Sequence, residues 1–526
     1  MTISTKYIVK KYIAFCNKNN IQVQTHQIYG ALWCFRKENE ENEENEENLQ
    51  RGDKLRTKLR TKLRGGILAD DMGMGKTIQM IATIFLNFRK KTLILLPPIL
   101  IQQWYSEIFK ILGHSATIYY KQNRNKVDLY NSHNMVIITS YDTFLRSPEL
   151  LEITWDRTIC DEAHRLRNPK TKLYKQIERL RTDILWCITG TPIHNKMKDV
   201  MSLFALYGVG KAEEDVYKNM ILRRTKSTTN LLLPKKTETQ EMISWSNPEE
   251  WKLAKDIHLS MYKSGGGGGD SFWSTKQTSE LVTMIRAKQL CILPKLLEKP
   301  IQKFELDEPD DLFPMDFKYI TKQNTSCKLT AIIQHILSRV NNGRGKIIFC
   351  HFQLEMTKIA ELLREEIPSP NIWIGNWKEF GLFKKKNEGL KKTPILILQI
   401  RAGCEGLNLQ HDFSEVYFVS PNWNPTLEEQ AIARCHRIGQ QNEVFVFRFY
   451  MDNLLYVSEK KAIEKDIRKY AWIINRIPED VQRLVNEYLV SDNTHTPPNY
   501  SMDQYILLTQ NKKREKITEF IDQITI

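Results

Sequence analysis

The sequence predicts an α/β protein with two parallel-sheet lobes. Short apolar runs alternate with helical stretches, and each run ends in a polar or glycine-bearing motif. The pattern occurs twice, once up to residue 226 and again from residue 327. Buried strands alternating with helices make a parallel sheet, whose site lies beyond the strand carboxyl ends.

At 526 residues the chain has material for roughly two to four domains. Its formal net charge of +15 favours a polyanionic partner, nucleic acid before membrane, with a lysine-rich solvated surface as the plainer alternative. Nine cysteines occur without a Cys-x-x-Cys pair, which speaks against a disulfide framework or zinc module and suits a reducing compartment. Met1 to Lys11 is polar and basic, unlike a signal peptide. Leu93 to Ile101 is the longest apolar stretch, is broken by Pro97-Pro98, and is too short to cross a bilayer. The expectation is a soluble intracellular protein, neither secreted nor membrane-bound.

Thr25 to Trp33 reads as a short amphipathic helix. A Glu-Glu-Asn repeat follows (Glu38 to Asn48), then a Lys-Leu-Arg-Thr repeat (Lys54 to Arg64). The acidic block reads as solvated loop, because nothing in it repays the entropy of ordering. The pair is expected to form a charged surface insertion over 37–64; a nucleic-acid arm is the alternative for the basic block.

Gly65 to Thr77 (GGILADDMGMGKT) is a short apolar run, a glycine-punctuated loop ending in Gly-Lys-Thr, and the start of a helical stretch. This layout turns backbone N–H groups toward a phosphate at a helix N-terminus. Lys76 would reach the β- and γ-phosphates and Thr77 would ligate Mg²⁺. Asp70 stands where the strict pattern has its first glycine.

Lys91 to Pro97 and Met135 to Tyr141 are buried-strand patterns. Arg157 to Cys160 leads into Asp161-Glu162-Ala163-His164, and Ile184 to Ile188 into Thr189-Gly190-Thr191-Pro192. Adjacent carboxylates after a buried strand suit metal-assisted phosphoryl transfer: Asp161 would hold the metal, and Glu162 would orient and deprotonate the attacking water.

These blocks resemble the Swi/Snf family of superfamily-two, DEAH-box double-stranded-DNA translocases. The resemblance implies two RecA-like lobes forming an ATP cleft, with a helical insertion between them. It matches Gln27 to the family's adenine-reading glutamine and Asp71, Met72, Gly73, Met74, Gly75, Lys76 and Thr77 to its phosphate loop. Asp161 to Asn168, Thr189 to Asn195 and Leu222 to Lys226 follow its order.

From Ser227 to Gln323 the pattern loosens, and Met284 to Cys291 resembles the family's inserted helical segment. Gly265 to Gly269 reads as a flexible loop tip, and Leu306 to Asp316 as a linker. In the second unit, Lys346 to Cys350, Pro394 to Leu398 and Glu415 to Val419 are strand runs. Thr426 with Glu429 reads as a capping box opening a helix that Gly439 closes. Gln430, Arg434 and Arg437 would then share one helical face. The family block they match implies that Arg434 and Arg437 reach across the cleft to ATP; the same resemblance adds Gly406 to the nucleotide-binding set. Cys404-Glu405 departs from the family's small residues, and a carboxylate there would weaken grip on a phosphate backbone.

The resemblance runs from Gln22 to Ser458. Pro421 to Gln440 is similar to the branch containing RING-bearing repair ATPases, though no RING cysteines occur, and the slippage-like repeats suggest a large DNA virus. The expected organisation is 1–226 (N-terminal segment and ATP-binding lobe), 227–326 (helical insertion and linker), 327–490 (second lobe) and 491–526 (a polar tail with a final helix). The implied activity is a DNA-dependent ATPase using ATP and Mg²⁺, with double-stranded DNA as partner. Its location would be the nucleus, or a cytoplasmic virus factory if viral. The rivals are a strand-separating helicase and a catalytically dead scaffold.

Overall fold

A computed structural model describes residues 5–40, 63–113, 115–129, 135–191, 197–209, 214–229, 231, 233–263, 280–298, 320, 322–367, 372–375, 394–403, 408–456 and 500–524. Its first sheet contains β1 (Arg64–Leu68), β2 (Lys91–Leu96), β3 (Thr117–Ile118), β4 (Met135–Ser140), β5 (Arg157–Asp161), β6 (Ile184–Ile188) and β7 (Ile221–Leu222). The strands lie in the order β3-β4-β2-β5-β6-β1-β7, all parallel. Successive side chains point to opposite faces, so Leu93 and Leu95 enter one core layer while Ile94 and Leu96 enter the other. That two-sided burial explains the continuous apolar runs.

The second sheet contains β8 (Lys236–Trp245), β9 (Gly345–Cys350), β10 (Ile372–Ile374), β11 (Ile395–Gln399), β12 (Phe413–Phe418) and β13 (Val444–Tyr456). It runs β10-β11-β9-β12-β13-β8, again parallel. Two apolar layers flank it, one around Ile348 and Phe449, the other around Ile347 and Val446. The protein is therefore α/β, with two parallel-sheet lobes.

Four local expectations differ from the structure. Residues 236–245, expected within a helical insertion, form β8, the edge of the second sheet, paired along β13. The strand is polar and half exposed for most of its length, so its composition hides it. The stretch after it is helical (Pro248–Lys263 and Glu280–Leu290), and these helices pack around Trp245 with Met451 and Leu454 of β13.

The charged insertion starts later than expected. Lys37 to Asn39 complete the helix Thr25–Asn39, and Arg64 opens β1. Glu38 is fully buried and receives Arg157, Trp186 and Asn87. Residues 41–62 lie outside the described residues, as do Gly265 to Gly269 and Leu306 to Asp316.

The C-terminal helix Met502–Ile524 is docked rather than a polar tail. Met502 and Ile506 enter the same apolar cluster as Trp245. Asp503 accepts from Lys328 Nζ (2.5 Å), Ser420 Oγ (2.7 Å) and Met451 N (2.9 Å). Gln510 Nε2 donates to Asn422 O and Glu428 Oε1, fixing the turn before the arginine-bearing segment.

That segment contains the fourth difference. Its helix is shorter, Pro425–Ile432, and its N-cap is Asn424, whose side chain accepts from Thr426 N at 3.1 Å. The Thr426–Glu429 capping box is not formed. Among the described residues, no helix is long and apolar enough to cross a membrane.

Candidate active site

β5, β6, β1 and β7 are consecutive in the first sheet, so the loops at their carboxyl ends converge. After β1 the chain forms the loop from Ala69 to Gly75. Gly73 and Gly75 have φ of +84° and +81°, a left-handed geometry natural to glycine. A Cβ on Gly75 would stand 2.3 Å from Gln27 Nε2, and one on Gly73 would stand 2.8 Å from Arg437 Cβ. Both glycines are thus needed for close approach as well as for the turn.

The helix Lys76–Leu86 starts immediately after Gly75, with Lys76 and Thr77 in its first turn. Lys76 Nζ donates to Asp70 O at 2.7 Å and Asp71 O at 3.1 Å. Burial pushes the lysine pKa down, against the pull of Asp70 and Glu162. The amine therefore lies inside the loop's own curl, ringed by groups that favour its charge.

Two arginines after β7 hold that curl. Arg223 donates to Ala69 O (2.6 Å), Gly190 O (3.1 Å) and Asp71 Oδ1 (2.7 Å), joining the ends of β1, β6 and β7. Arg224 pairs with the fully buried Asp70, which also accepts from Gln79 Nε2 at 3.0 Å. Asp70 thus replaces the strict glycine with a buried anchor. The order of Leu222 to Lys226 was legible in sequence, but the roles of its arginines were not.

Gln27 lies against the loop, its amide nitrogen 3.1 Å from Met74 O, with His26 Nε2 at 3.0 Å from the same carbonyl. Gln27 Oε1 is buried with no hydrogen-bond partner among the described residues. Met72 packs beside Gly190, where a Cβ would meet Met72 Cγ at 2.5 Å.

Asp161 closes β5, its Oδ2 receiving Trp104 Nε1 at 2.7 Å and its Oδ1 receiving the Glu162 N–H at 2.9 Å. Burial beside Glu162 raises the Asp161 carboxyl to about 7. Glu162 has a left-handed φ of +53°, uncommon outside glycine and a form of strain found at functional sites. Burial would raise its carboxyl too, but His164 at 3.2 Å, Arg434 and Lys76 outweigh that and hold it at about 2. Two neighbouring carboxylates are thereby separated in proton affinity.

The second lobe faces this set. Arg434 and Arg437 lie in the turn after Ile432, so they do not share a helical face with Gln430 as the spacing suggested. Gln440 Nε2 stabilises the turn through Phe413 O (3.0 Å) and Cys435 O (3.2 Å). Arg437 Nη1 donates to Asn408 Oδ1 at 2.5 Å, while its Nε is buried without a partner among the described residues. Burial and Arg434 push the Arg437 pKa down to about 10, and Glu107 opposes the change. The structure therefore brings Gln27, Asp71 to Thr77, Asp161, Glu162, Arg434 and Arg437 to one cleft. Gly406, Cys404 and Glu405 lie outside the described residues, as do Pro192 to Asn195.

Fold and site together define a two-lobed α/β protein with a phosphate-loop-like cradle on one lobe and arginines from the other beside it. Residues 26–217 match the SNF2-related domain. The chain is 26% identical over 441 residues to chromodomain-helicase-DNA-binding protein 8 of Rattus norvegicus, an alignment covering 74% of this chain and 17% of that protein. It is 25% identical over 453 residues to a probable global transactivator of Orgyia pseudotsugata multicapsid polyhedrosis virus, covering 78% and 85%. The putative ATP-dependent helicase/translocase YwqA of Bacillus subtilis is 26% identical over 472 residues, covering 80% and 48%. The chain thus spans about a sixth of the chromodomain relatives but most of the viral one. A solved Sulfolobus solfataricus SWI2/SNF2 ATPase core in complex with double-stranded DNA aligns at 22% identity and a TM-score of 0.35, over 88% of this chain and 96% of that one.

Proposed function

We propose that the protein is a DNA-dependent ATPase that translocates on double-stranded DNA and displaces or remodels proteins bound there, acting in the nucleus or a viral factory. One observation carries the reading: Arg437 of the second lobe packs on Gly73 of the first, where a Cβ would stand only 2.8 Å from Arg437 Cβ. A triphosphate site assembled from two lobes makes closure of the cleft depend on nucleotide state.

The residues present fit a magnesium nucleotide. The left-handed glycines leave room for phosphate oxygens, Lys76 has carbonyl contacts that a phosphate could replace, and Arg437 Nε is a buried donor with no acceptor among the described residues. Thr77 and Asp161 would hold Mg²⁺, which when bound screens phosphate charge. Lys76 and the loop N–H groups would bind the phosphates, and Gln27 would face the base. Glu162, ionised at neutral pH, would accept a proton from water, with His164 fixing its orientation. Arg434 and Arg437 would neutralise charge developing on the phosphoryl oxygens; arginine fingers of this kind contribute about 10³ to 10⁵ in turnover. The +15 net charge supports an electrostatic, sequence-tolerant grip that weakens steeply in salt.

The test is ATPase rate without nucleic acid and with single-stranded DNA, duplex DNA or RNA, for the parent protein, Lys76→Ala and Arg437→Ala. Duplex DNA should stimulate most, and both variants should lose turnover. Absence of turnover in the parent, or unchanged rates in both variants, rejects the catalytic reading. Triplex displacement without unwinding of a forked duplex is expected; efficient fork unwinding would favour a helicase.

A further inference from the structure

The chain crosses from the first sheet to the second between Leu222 and Lys236, and one residue of that crossing touches both halves of the cleft. The Lys226 backbone N–H donates to Asp71 Oδ2 in the phosphate loop at 3.2 Å. Its ammonium donates to the carbonyl of His436, the residue before Arg437, at 2.9 Å.

The His436 ring completes the arrangement. Its Nε2 lies 2.9 Å from Pro234 O, further along the same crossing, and a carbonyl requires that nitrogen to carry the proton. Nδ1 is then left as an acceptor, 3.5 Å from the Lys226 ammonium. The crossing thus grips the arginine turn at two points, from Lys226 and from Pro234. The first of these is continuous with the phosphate loop through a single residue.

We propose that Lys226 is the positioning residue that sets Arg437 against the phosphate loop, so that the arginine and the bound phosphates keep a fixed spacing when the cleft is closed. Arg223 and Arg224 shape the loop itself, and Lys226 fixes the second lobe's distance from it. The proposal rests on the cleft being an ATPase site. The Lys226 ammonium bonds to His436, and the residue bonds to the phosphate loop through its backbone N–H, which a substitution keeps, so replacing the side chain should leave nucleotide binding intact while misplacing Arg437. A displacement of about 1 Å at a reacting centre costs about 10²-fold in rate.

Lys226→Met keeps the aliphatic stem and removes the donor, whereas Lys226→Arg keeps charge and donors. With duplex DNA present, we expect Lys226→Met to lower kcat about 10- to 100-fold while the Kd for fluorescent ATP stays within about threefold of the parent. Lys226→Arg should recover most of the loss. Adding Lys226→Met to Arg437→Ala should cost little more than Arg437→Ala alone, because residues acting through one group are not additive. Thermal unfolding checks folding, and Lys226→Gln serves the same comparison if the methionine protein does not fold. An active parent with unchanged kcat in Lys226→Met overturns the proposal alone. So does a loss carried equally by nucleotide Kd, or a double variant whose losses multiply. A parent with no ATP turnover overturns instead the functional reading beneath it.

Discussion

The Trp104 indole N–H donates to Asp161 Oδ2 at 2.7 Å, from a helix that follows β2 to a carboxylate that ends β5. Both residues are buried, and the Asp161 backbone carbonyl accepts from Tyr141 Oη at 2.6 Å. Asp161 is therefore held from two other elements, its carboxylate by Trp104 and its backbone by Tyr141. A group expected to hold a metal needs such outer partners, since losing one typically costs about 10- to 100-fold in metal affinity or activity.

Trp104→Phe keeps most of the apolar volume and removes the donor. The expected result is ATP turnover lowered about 10- to 100-fold, with Mn²⁺ affinity, read by electron paramagnetic resonance in the presence of nucleotide, weakened in parallel. Parent-like values for both would show that Trp104 is a packing residue.

Arg437→Lys tests whether geometry or charge matters at the cleft. Arginine offers a planar fork, whereas lysine is a compact point charge on a flexible stem. The lysine protein should lose about 10³-fold or more in kcat, approaching Arg437→Ala, with little change in DNA affinity measured without nucleotide. Retention of most turnover would mean that positive charge alone suffices.

Glu38 and Arg157 form an ion pair with both side chains fully buried, Nε to Oε1 at 2.6 Å, and Trp186 Nε1 adds a donor at 2.8 Å. Removing one partner leaves the other charge buried and unpaired, which costs about 3–5 kcal/mol. Glu38→Ala should therefore lower the denaturation midpoint of the first lobe substantially in equilibrium unfolding. Glu38→Gln should fall between it and the parent, since the amide still offers one acceptor. A change below about 0.5 kcal/mol in both, as at an ordinary surface site, would contradict this.

Glu38 also shows where sequence stops being informative. It is the first residue of a Glu-Asn repeat, and composition assigns it to solvent; only the arrival of Arg157 from 119 positions away gives it a buried role. The glycine loop before Lys76, Asp161-Glu162 and the arginine block stand out in the sequence because the chemistry proposed for them depends on neighbours along the chain. β8 was not, because Lys-Thr-Glu-Thr-Gln-Glu alternates no apolar face, and its pairing with β13 is decided in three dimensions. Val444–Tyr456 is likewise absent from the expected strands, although its aromatic and β-branched opening carries the signal. The arginine helix is shorter than its sequence predicts: a Gly439 stop suits its period, but Gln440 bonds back to Cys435 and Phe413 and holds a turn instead.

His258 gives a pH prediction with a definite sign. It is fully buried on the Pro248–Lys263 helix, its Nδ1 lying 2.7 Å from Ala254 O and its Nε2 accepting from Met502 N at 2.9 Å. A ring donating at one nitrogen and accepting at the other is neutral, and desolvation pushes its pKa down to about 4. Asp503 and Ala254 O favour the charged form but are outweighed. An unfolded histidine titrates near 6.5, so the unfolded chain binds more protons than the native one between those values. Stability is then full above about pH 6.5 and falls as pH drops toward 4, by about 3 kcal/mol from this residue. His258→Gln cannot titrate, and it can still accept from Met502 N. Its unfolding midpoint should lie below the parent's at pH 7, and the gap should narrow steadily down to pH 4. A gap constant over that range would show that His258 is not the group whose protonation loosens the C-terminal helix from the second lobe.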